Sequence, residues 1–275
     1  MTTAEAIRVS PEWLDLREGA DAAARSLDLV GQIRRGLPAS GPLVIHDLAG
    51  GSGSMGRWLA PLLPGPQHWV LHDRDPELLA LAELGVPGPA ADGAAVTVET
   101  RLGDVTRLGP RALAGASVVT ASALLDLLTE EELAALVEAC AGAGCPVLLT
   151  LSVTGRVQLL PADRLDTRVA AAFDAHQRRA TPRGRLLGPG AVGAAAAAFR
   201  RLGATEVIVR PSPWRLSAEE AGLVVEWLAG WVDAAWEQEP ALAADAVLYR
   251  RRRLREAEAG CLAVTIAHAD LLVLP

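Results

Sequence analysis

Lysine and asparagine are both missing from this chain of 275 residues, and all 26 basic residues are arginine. Without lysine there is no phosphate-loop lysine, no Schiff base and no Tyr-Lys dehydrogenase pair. Without asparagine there is no glycosylation sequon and no Asn-Pro-Pro-Tyr type of amine-methylation motif. Cysteine is scarce: Cys140, Cys145 and Cys261 make neither a disulfide framework nor a paired metal motif, and are expected to be small buried apolar residues. The five histidines include no HExxH motif, and the one HxxxH spacing, His68–His72, falls in a β-like apolar run rather than on a helix, so no metal site is expected. No apolar run is long enough to cross a bilayer, and the first ten residues lack the basic-then-apolar order of a secretory signal. A cytoplasmic protein without a membrane partner is therefore expected. Its oligomeric state is not legible. A net charge of −7 argues against general affinity for nucleic acid, whose phosphates an acidic surface repels.

Apolar material is plentiful, with 51% of residues hydrophobic. Residues 11–36 read as one or two helices, and residues 1–40 as a helical N-terminal extension or lid ahead of one domain, 41–275. Within that domain, apolar runs at 43–48, 68–72, 95–100, 117–120, 147–153, 206–210 and 262–267 alternate with helical stretches at 54–63, 76–84, 130–143, 191–202 and 218–237. Such alternation predicts a doubly wound α/β fold: seven strands, mostly parallel, with helices on both faces. An extra segment rich in Arg, Pro and Gly, 155–190, interrupts the rhythm, and a long helical span, 217–259, is broken at Pro240.

The chemistry concentrates in PLVIHDLAGGSGSMGRWLA, residues 42–60. A strand ends in Asp47, a glycine-rich turn follows, and a helix begins near Ser54. Gly50, Gly51 and Gly53 permit a tight turn and close approach to a ligand, and the helix start offers unpaired N–H groups to an anion. Asp47 suits an ammonium group, so an amino-acid moiety matches both ends of the site. Gly51, Gly53 and Gly56 also spell the dinucleotide pattern GxGxxG, which leaves a nicotinamide or flavin open at this point. Asp73 ends the second strand 20 residues after Gly53, where either ligand class would place a ribose diol. Asp104, past the third strand, is placed to accept a hydrogen bond from an adenine amino group, and residues 117–126 pass from an apolar strand into a small-residue turn.

Together these segments resemble class I S-adenosylmethionine-dependent methyltransferases over about residues 40–210, with GCLAVTIAHADLLVLP at the end similar to that family's seventh strand. The counterpart of its D-x-G-x-G-x-G motif is Asp47-Leu48-Ala49-Gly50-Gly51-Ser52-Gly53, with Ala49 in the first glycine position. The resemblance implies strand order 3-2-1-4-5-7-6 with the seventh strand antiparallel. It implies S-adenosylmethionine as cofactor, its methionine end at Asp47 and the Ala49–Gly53 backbone, its ribose at Asp73 beside Arg74, its adenine at Asp104 and Val105, with Ser122 at the fourth strand's end.

The acceptor side is expected to be a small molecule held at strand ends and in the extra segments. Asp126, His176 and His268 are candidate bases, and Arg17, His176, Arg178 and Trp214 candidate acceptor contacts. Arg178, Arg179, Arg183 and Arg185 would suit an acidic acceptor, although a plain charged loop is the simpler reading. Asp270 accompanies His268 at the expected end of the last strand. Arg17, Asp21 and Arg25, four apart, read as a salt-bridged helix face or a lid. Arg250–Arg253 forms the one basic run; RNA methylation is the alternative it leaves open, against a solvated helix face.

Overall fold

The computed structural model describes residues 9–38, 41–85, 87–109 and 111–275; the first eight residues and residues 39–40 of the expected extension lie outside them. The chain opens with α1 (Pro11–Ala24), whose Ser10 hydroxyl caps the Trp13 amide, followed by α2 (Leu27–Gly36). Then come β1 (Leu43–Leu48), α3 (Ser54–Leu59), β2 (Gln67–Asp73), α4 (Pro76–Leu84), β3 (Val96–Leu102), β4 (Val118–Ser122) and α5 (Glu130–Gly142). The second half comprises β5 (Val147–Leu160), α6 (Asp166–Gln177), the short hairpin β6 (Ala180–Thr181) and β7 (Gly184–Arg185), α7 (Ala191–Arg201), β8 (Glu206–Pro211), β9 (Trp214–Leu216), α8 (Ala221–Gln238), α9 (Ala243–Glu258) and β10 (Ala263–Leu274). Helix starts follow side-chain chemistry. Asp75 caps α4 ahead of Pro76, and Thr129 with Glu132 forms a reciprocal capping box on α5.

The main sheet runs β3-β2-β1-β4-β5-β10-β8, with β9 paired to β10. Counting only the seven long strands, this is the order implied by the resemblance. β10 is antiparallel to both β5 and β8, and the pairs among β1 to β5 are parallel. The sheet has eight strands rather than seven: Trp214 does not end the sixth strand but opens β9, which pairs with the early half of β10. β10 itself continues to Leu274, so His268 and Asp270 lie inside a strand, not at its end. The apolar run at 262–267 is followed by His-Ala-Asp, whose polar members mask the continuation; both are buried, and Asp270 is tolerated there because three hydrogen bonds satisfy its carboxylate.

Parallel strands covered on both faces need apolar side chains on both, and the core divides accordingly. One layer packs Leu48, Val119, Ala121, Val147 and Leu271 against α5 and α7. The opposite layer packs Ile45, Trp69, Leu71, Val118 and Leu148 against α2, α3 and α4. α2 contributes Leu29, Val30 and Ile33, so this part of the N-terminal extension is an integral core element. A third cluster joins α6, α8, α9 and the outer halves of β5 and β10. The extra segment 155–190 contains the end of a 14-residue strand, a helix and a hairpin.

Two expectations about charge and sulfur are corrected here. Cys140 and Cys145 are buried, but Cys261 is exposed. Within the run Arg250–Arg253, Arg251 stays exposed, Arg250 and Arg252 meet Asp233 and Asp163 near the surface, and Arg253 alone is buried, 1% exposed and bonded to both oxygens of Asp166, to Glu256 and to the Pro161 carbonyl. A guanidinium engaged this way is a strut between α9 and α6. Arg253→Met is expected to destabilise the fold by about 2 kcal/mol, below the usual figure for a broken buried pair because Asp166 and Glu256 remain partly solvated. A urea midpoint unchanged by the substitution would contradict the assignment.

Candidate active site

β1, β2, β3 and β4 all end on the same side of the sheet, and the loops that follow them rim one cavity of about 520 Å³. Asp47 closes β1 beside Thr120 of β4, because the parallel register pairs the two residues. The Thr120 hydroxyl donates to Asp47 Oδ1 at 2.7 Å, while Asp47 Oδ2 is buried without a hydrogen-bond partner. Burial pushes the Asp47 carboxyl up to about 7, with the Thr120 bond opposing it. The turn above follows from three backbone conformations that favour glycine. Ala49, Gly51 and Gly53 have φ of 53°, 54° and 86°. Ala49, standing where the resembled pattern has glycine, takes this conformation at a steric cost of about 1 kcal/mol. Gly50 is required for another reason: a Cβ there would lie 2.8 Å from Asp47 Oδ2, filling the space above the free oxygen.

Asp73, at the tip of β2, is 8% exposed and organises the neighbouring loops. Its Oδ2 accepts from the Gly51 amide and its Oδ1 from the Asp75 amide, each at 2.9 Å. Second lone pairs on both oxygens remain for a ligand. Asp104 caps the turn after β3, accepting from the Thr106 amide and hydroxyl. Asp73, Arg74, Asp104, Val105, Ser122, Ala49 and Gly51 all line the cavity. Asp47 and Gly50 instead line a contiguous cleft of about 50 Å³ beneath the turn, together with Arg17, Asp21, Ser52 and Ser54. Gly53 lines neither space; it shapes the turn, its amide donating to the Gly50 carbonyl.

α1 forms the roof. Arg17 and Asp21 make a two-bonded ion pair, as their spacing predicts, yet the face they share is turned inward: Asp21 is 4% exposed and Arg17 lines the cavity. Arg25, expected to extend that pair, is instead 3% exposed and reaches Ser54 and Ser122 through Nη2, leaving Nε and Nη1 without partners. Its charge stands directly behind two hydroxyls that line the small cleft. The salt-bridged face therefore exists, but it is turned inward over the glycine turn rather than toward solvent.

Among the acceptor-side candidates, Arg17, Asp126, Trp214 and His268 line the cavity, and His176 and Arg178 do not. Arg178 donates to the Asp174 carbonyl at the end of α6, and His176 is half-buried on the same helix. Arg179 and Arg185 likewise bond nearby carbonyls, and Arg183, which does line the rim, pairs with Glu132. The arginines of this segment therefore do not gather as an anion site. Trp13, Phe173 and Trp227 line the cavity unforeseen. Trp13 had a signal: with Leu14, Arg17 and Asp21 it falls on one stripe of α1. Phe173 and Trp227 had none, since α6 and α8 are brought to the cavity by tertiary packing alone. Among the described residues no cluster of metal-ligating side chains occurs, and no helix is long and apolar enough to cross a membrane.

No protein-family model and no curated protein matches the chain. Among solved structures it is similar to the cyclopropane synthase MmaA2 of Mycobacterium tuberculosis, 11% identical over 95% of this chain and 94% of the other, with a TM-score of 0.48. It is also similar to the YcgJ protein of Bacillus subtilis, 10% identical over 90% and 99% of the two chains, TM-score 0.48. A third is a methyltransferase of Geobacter sulfurreducens solved with S-adenosyl-L-homocysteine, 15% identical over 97% and 98%, TM-score 0.45. Likenesses this distant carry no functional weight; the residues around the cavity do.

Proposed function

We propose that this chain transfers a methyl group from S-adenosylmethionine to a small-molecule acceptor. The observation that carries the proposal is the free, buried Asp47 oxygen beneath a glycine turn, with Asp73 and Asp104 at the next two strand tips, around two adjoining spaces that share Ala49, Gly51 and Ser122 as walls. The fit is chemical. Asp47 Oδ2 lacks a donor, which an α-ammonium supplies; the hydroxyls of Ser54 and Ser122, backed by Arg25, face the carboxylate of the same head group. Asp73 has lone pairs for a ribose diol, and Asp104 with Val105 borders the place for the base. Four carboxylates, Glu18, Asp21, Asp47 and Asp73, stand around the turn with three guanidiniums, Arg17, Arg25 and Arg57. That balance suits a zwitterionic head and repels the two negative charges of a pyrophosphate, which disfavours the dinucleotide alternative.

Bound there, the donor supplies a methyl group already activated on a sulfonium sulfur. The chain's part is to orient the acceptor in line, exclude water and accept a proton where the acceptor carries one. α1 provides the exclusion by roofing the turn with Leu14 and Arg17. Calorimetry should give micromolar affinity for S-adenosylmethionine and its demethylated product, and no quenching of tryptophan fluorescence by reduced nicotinamide cofactor. Silence with both sulfur ligands overturns the proposal.

Asp47 adds a pH signature. Its carboxyl stays protonated up to about 7 in the folded chain, but an ammonium partner needs it ionised. Below that value each unit of pH should lower affinity about tenfold, with one proton released on binding; above it affinity should level off. Asp47→Asn should flatten the profile. For folding, the raised value means that Asp47 favours the native state most below its ordinary 3.8, and that this contribution is lost as pH rises through about 7. An affinity independent of pH from 5 to 9 would contradict the role given to Asp47.

A further inference from the structure

The cavity has two chemically different halves. Over β3, β2, β1 and β4 it is rimmed by the acids described above; over β5, β10 and β9 it is walled by aromatic and aliphatic side chains. Three of the chain's seven tryptophans (Trp13, Trp214 and Trp227) and one of its two phenylalanines, Phe173, meet there. They come from α1, β9, α8 and α6, so nothing in local sequence explains their convergence.

The walls are held in fixed orientations. Trp214 is 3% exposed, and its Nε1 donates to Asp21 Oδ1 at 3.0 Å. The Arg17 guanidinium lies 4.9 Å from the Trp214 ring while both its bonds go to Asp21. Trp13 stands 6.4 Å from Trp214 at 56°, and His268 5.2 Å from it at 54°, both tilted ring contacts. The positive charges here are already matched: Arg17 by Asp21, and Arg183 by Glu132. Two polar side chains of this half make no ion pair among the described residues, although the Arg17 charge acts on both. They are Asp126, in the turn after β4, and His268, whose Nδ1 is buried without a hydrogen-bond partner. Among the described residues, unmatched positive charge for an anionic acceptor is therefore missing from this half. A cation would have to share the Trp214 face with Arg17.

We infer that this half receives a neutral, flat aromatic acceptor bearing a hydroxyl group, that Asp126 takes the hydroxyl proton during transfer, and that His268 orients the ring. The inference rests on the methyl-transfer reading. In the step, the acceptor oxygen's lone pair forms the new O–C bond. The C–S bond breaks with its electrons going to sulfur, leaving a neutral thioether. The hydroxyl proton goes to the Asp126 carboxylate. Burial raises the Asp126 carboxyl to about 6 and holds the His268 imidazole at about 4, so above neutrality the first is a base and the second an uncharged hydrogen-bonding group.

The test uses the full chain and three probes of one shape: 2-naphthol, 2-naphthoate and 2-(2-naphthyl)ethylammonium, titrated by tryptophan fluorescence with S-adenosylhomocysteine present. 2-Naphthol should bind saturably and at least tenfold more tightly than either ion. Trp227→Leu or Phe173→Leu, both half-buried and each checked for native unfolding, should weaken it about tenfold. With S-adenosylmethionine, 2-methoxynaphthalene should form. Asp126→Asn should lower its rate at least a hundredfold while 2-naphthol affinity stays within threefold. Tighter binding of either ion overturns the acceptor class. Failure to form the ether with both ligands bound, or an unimpaired Asp126→Asn variant, overturns the role of Asp126. If calorimetry shows cofactor binding but 2-naphthol does not quench, the acceptor inference fails and the methyl-transfer reading stands. If 2-naphthol binds and the cofactor does not, methyl transfer fails, and with it this inference.

Discussion

Replacing Asp73 by alanine should weaken binding of S-adenosylhomocysteine about a hundredfold. Two charge-assisted hydrogen bonds to a ribose diol are together worth about 3 kcal/mol, and 1.4 kcal/mol is a factor of ten. The carboxylate also anchors the Gly51 and Asp75 amides, so the alanine variant loosens the turn that faces the methionine end as well as losing the ribose. Asp73→Asn separates the contributions: it keeps one acceptor for the loop amides and lacks the charge, and should fall about tenfold short of the parent. Calorimetry on both variants, with thermal unfolding as a control, reads the difference. A dissociation constant within twofold of the parent for Asp73→Ala would remove the ribose assignment.

The largest stability effect is expected at Asp270. This residue is 0% exposed in the middle of β10, where an irregularity in the ladder with β5 leaves Leu151 at φ 55°. Asp270 Oδ1 accepts from the Leu151 amide at 2.8 Å and from the Ser212 hydroxyl at 2.6 Å, and Oδ2 accepts from the Ser26 amide at 2.8 Å. One carboxylate thus ties the bulge in β5, the turn between β8 and β9, and the junction of α1 with α2. Asp270→Ala leaves three donors unsatisfied in the core, and should lower stability by about 3–5 kcal/mol. Asp270→Asn should lose less, because its carbonyl still serves one side while its amide group faces the Ser26 N–H as donor against donor. Urea unfolding measures both. A loss under 1 kcal/mol for the alanine variant would show that Asp270 is not this junction's anchor.

These two acids differ in how readily the sequence declares them. Asp73 ends an apolar run at a set distance from a glycine turn, and that spacing alone identifies it. Asp270 lies in GCLAVTIAHADLLVLP, where the sequence shows only a polar interruption; its three donors come from residues 26, 151 and 212. Ala49 shows the intermediate case. Its departure from the glycine pattern is visible in the sequence, but its left-handed conformation is seen only in the fold.

His176 and Arg178 illustrate the reverse failure. Their residue types and their place in an Arg-rich segment are suitable for an acceptor site. The segment nevertheless folds into α6 and a hairpin whose arginines bond local carbonyls. Helix phase decided which side chains of α6 face inward, and it selected Phe173. Likewise, the basic run at 250–253 has the composition of a nucleic-acid contact, but acids on α8 and α6 pair with Arg250 at the surface and with Arg253 in the interior.

The order of the long strands was implied by the resemblance; by itself the sequence determined the alternation of strands and helices and the acids at the tips of β1, β2 and β3. These follow from short-range rules: periodicity, glycine conformation and the topology of parallel crossovers. The tertiary structure alone decided the eighth strand, the inward turn of α1, the burial of Arg25, and the meeting of Trp13, Phe173, Trp214 and Trp227 with Asp126 and His268. Side chains from α1, α6, β9 and α8 share a wall because the long β5–β10 pair carries those elements to one place. Packing across such sequence distances leaves no periodic trace in the chain.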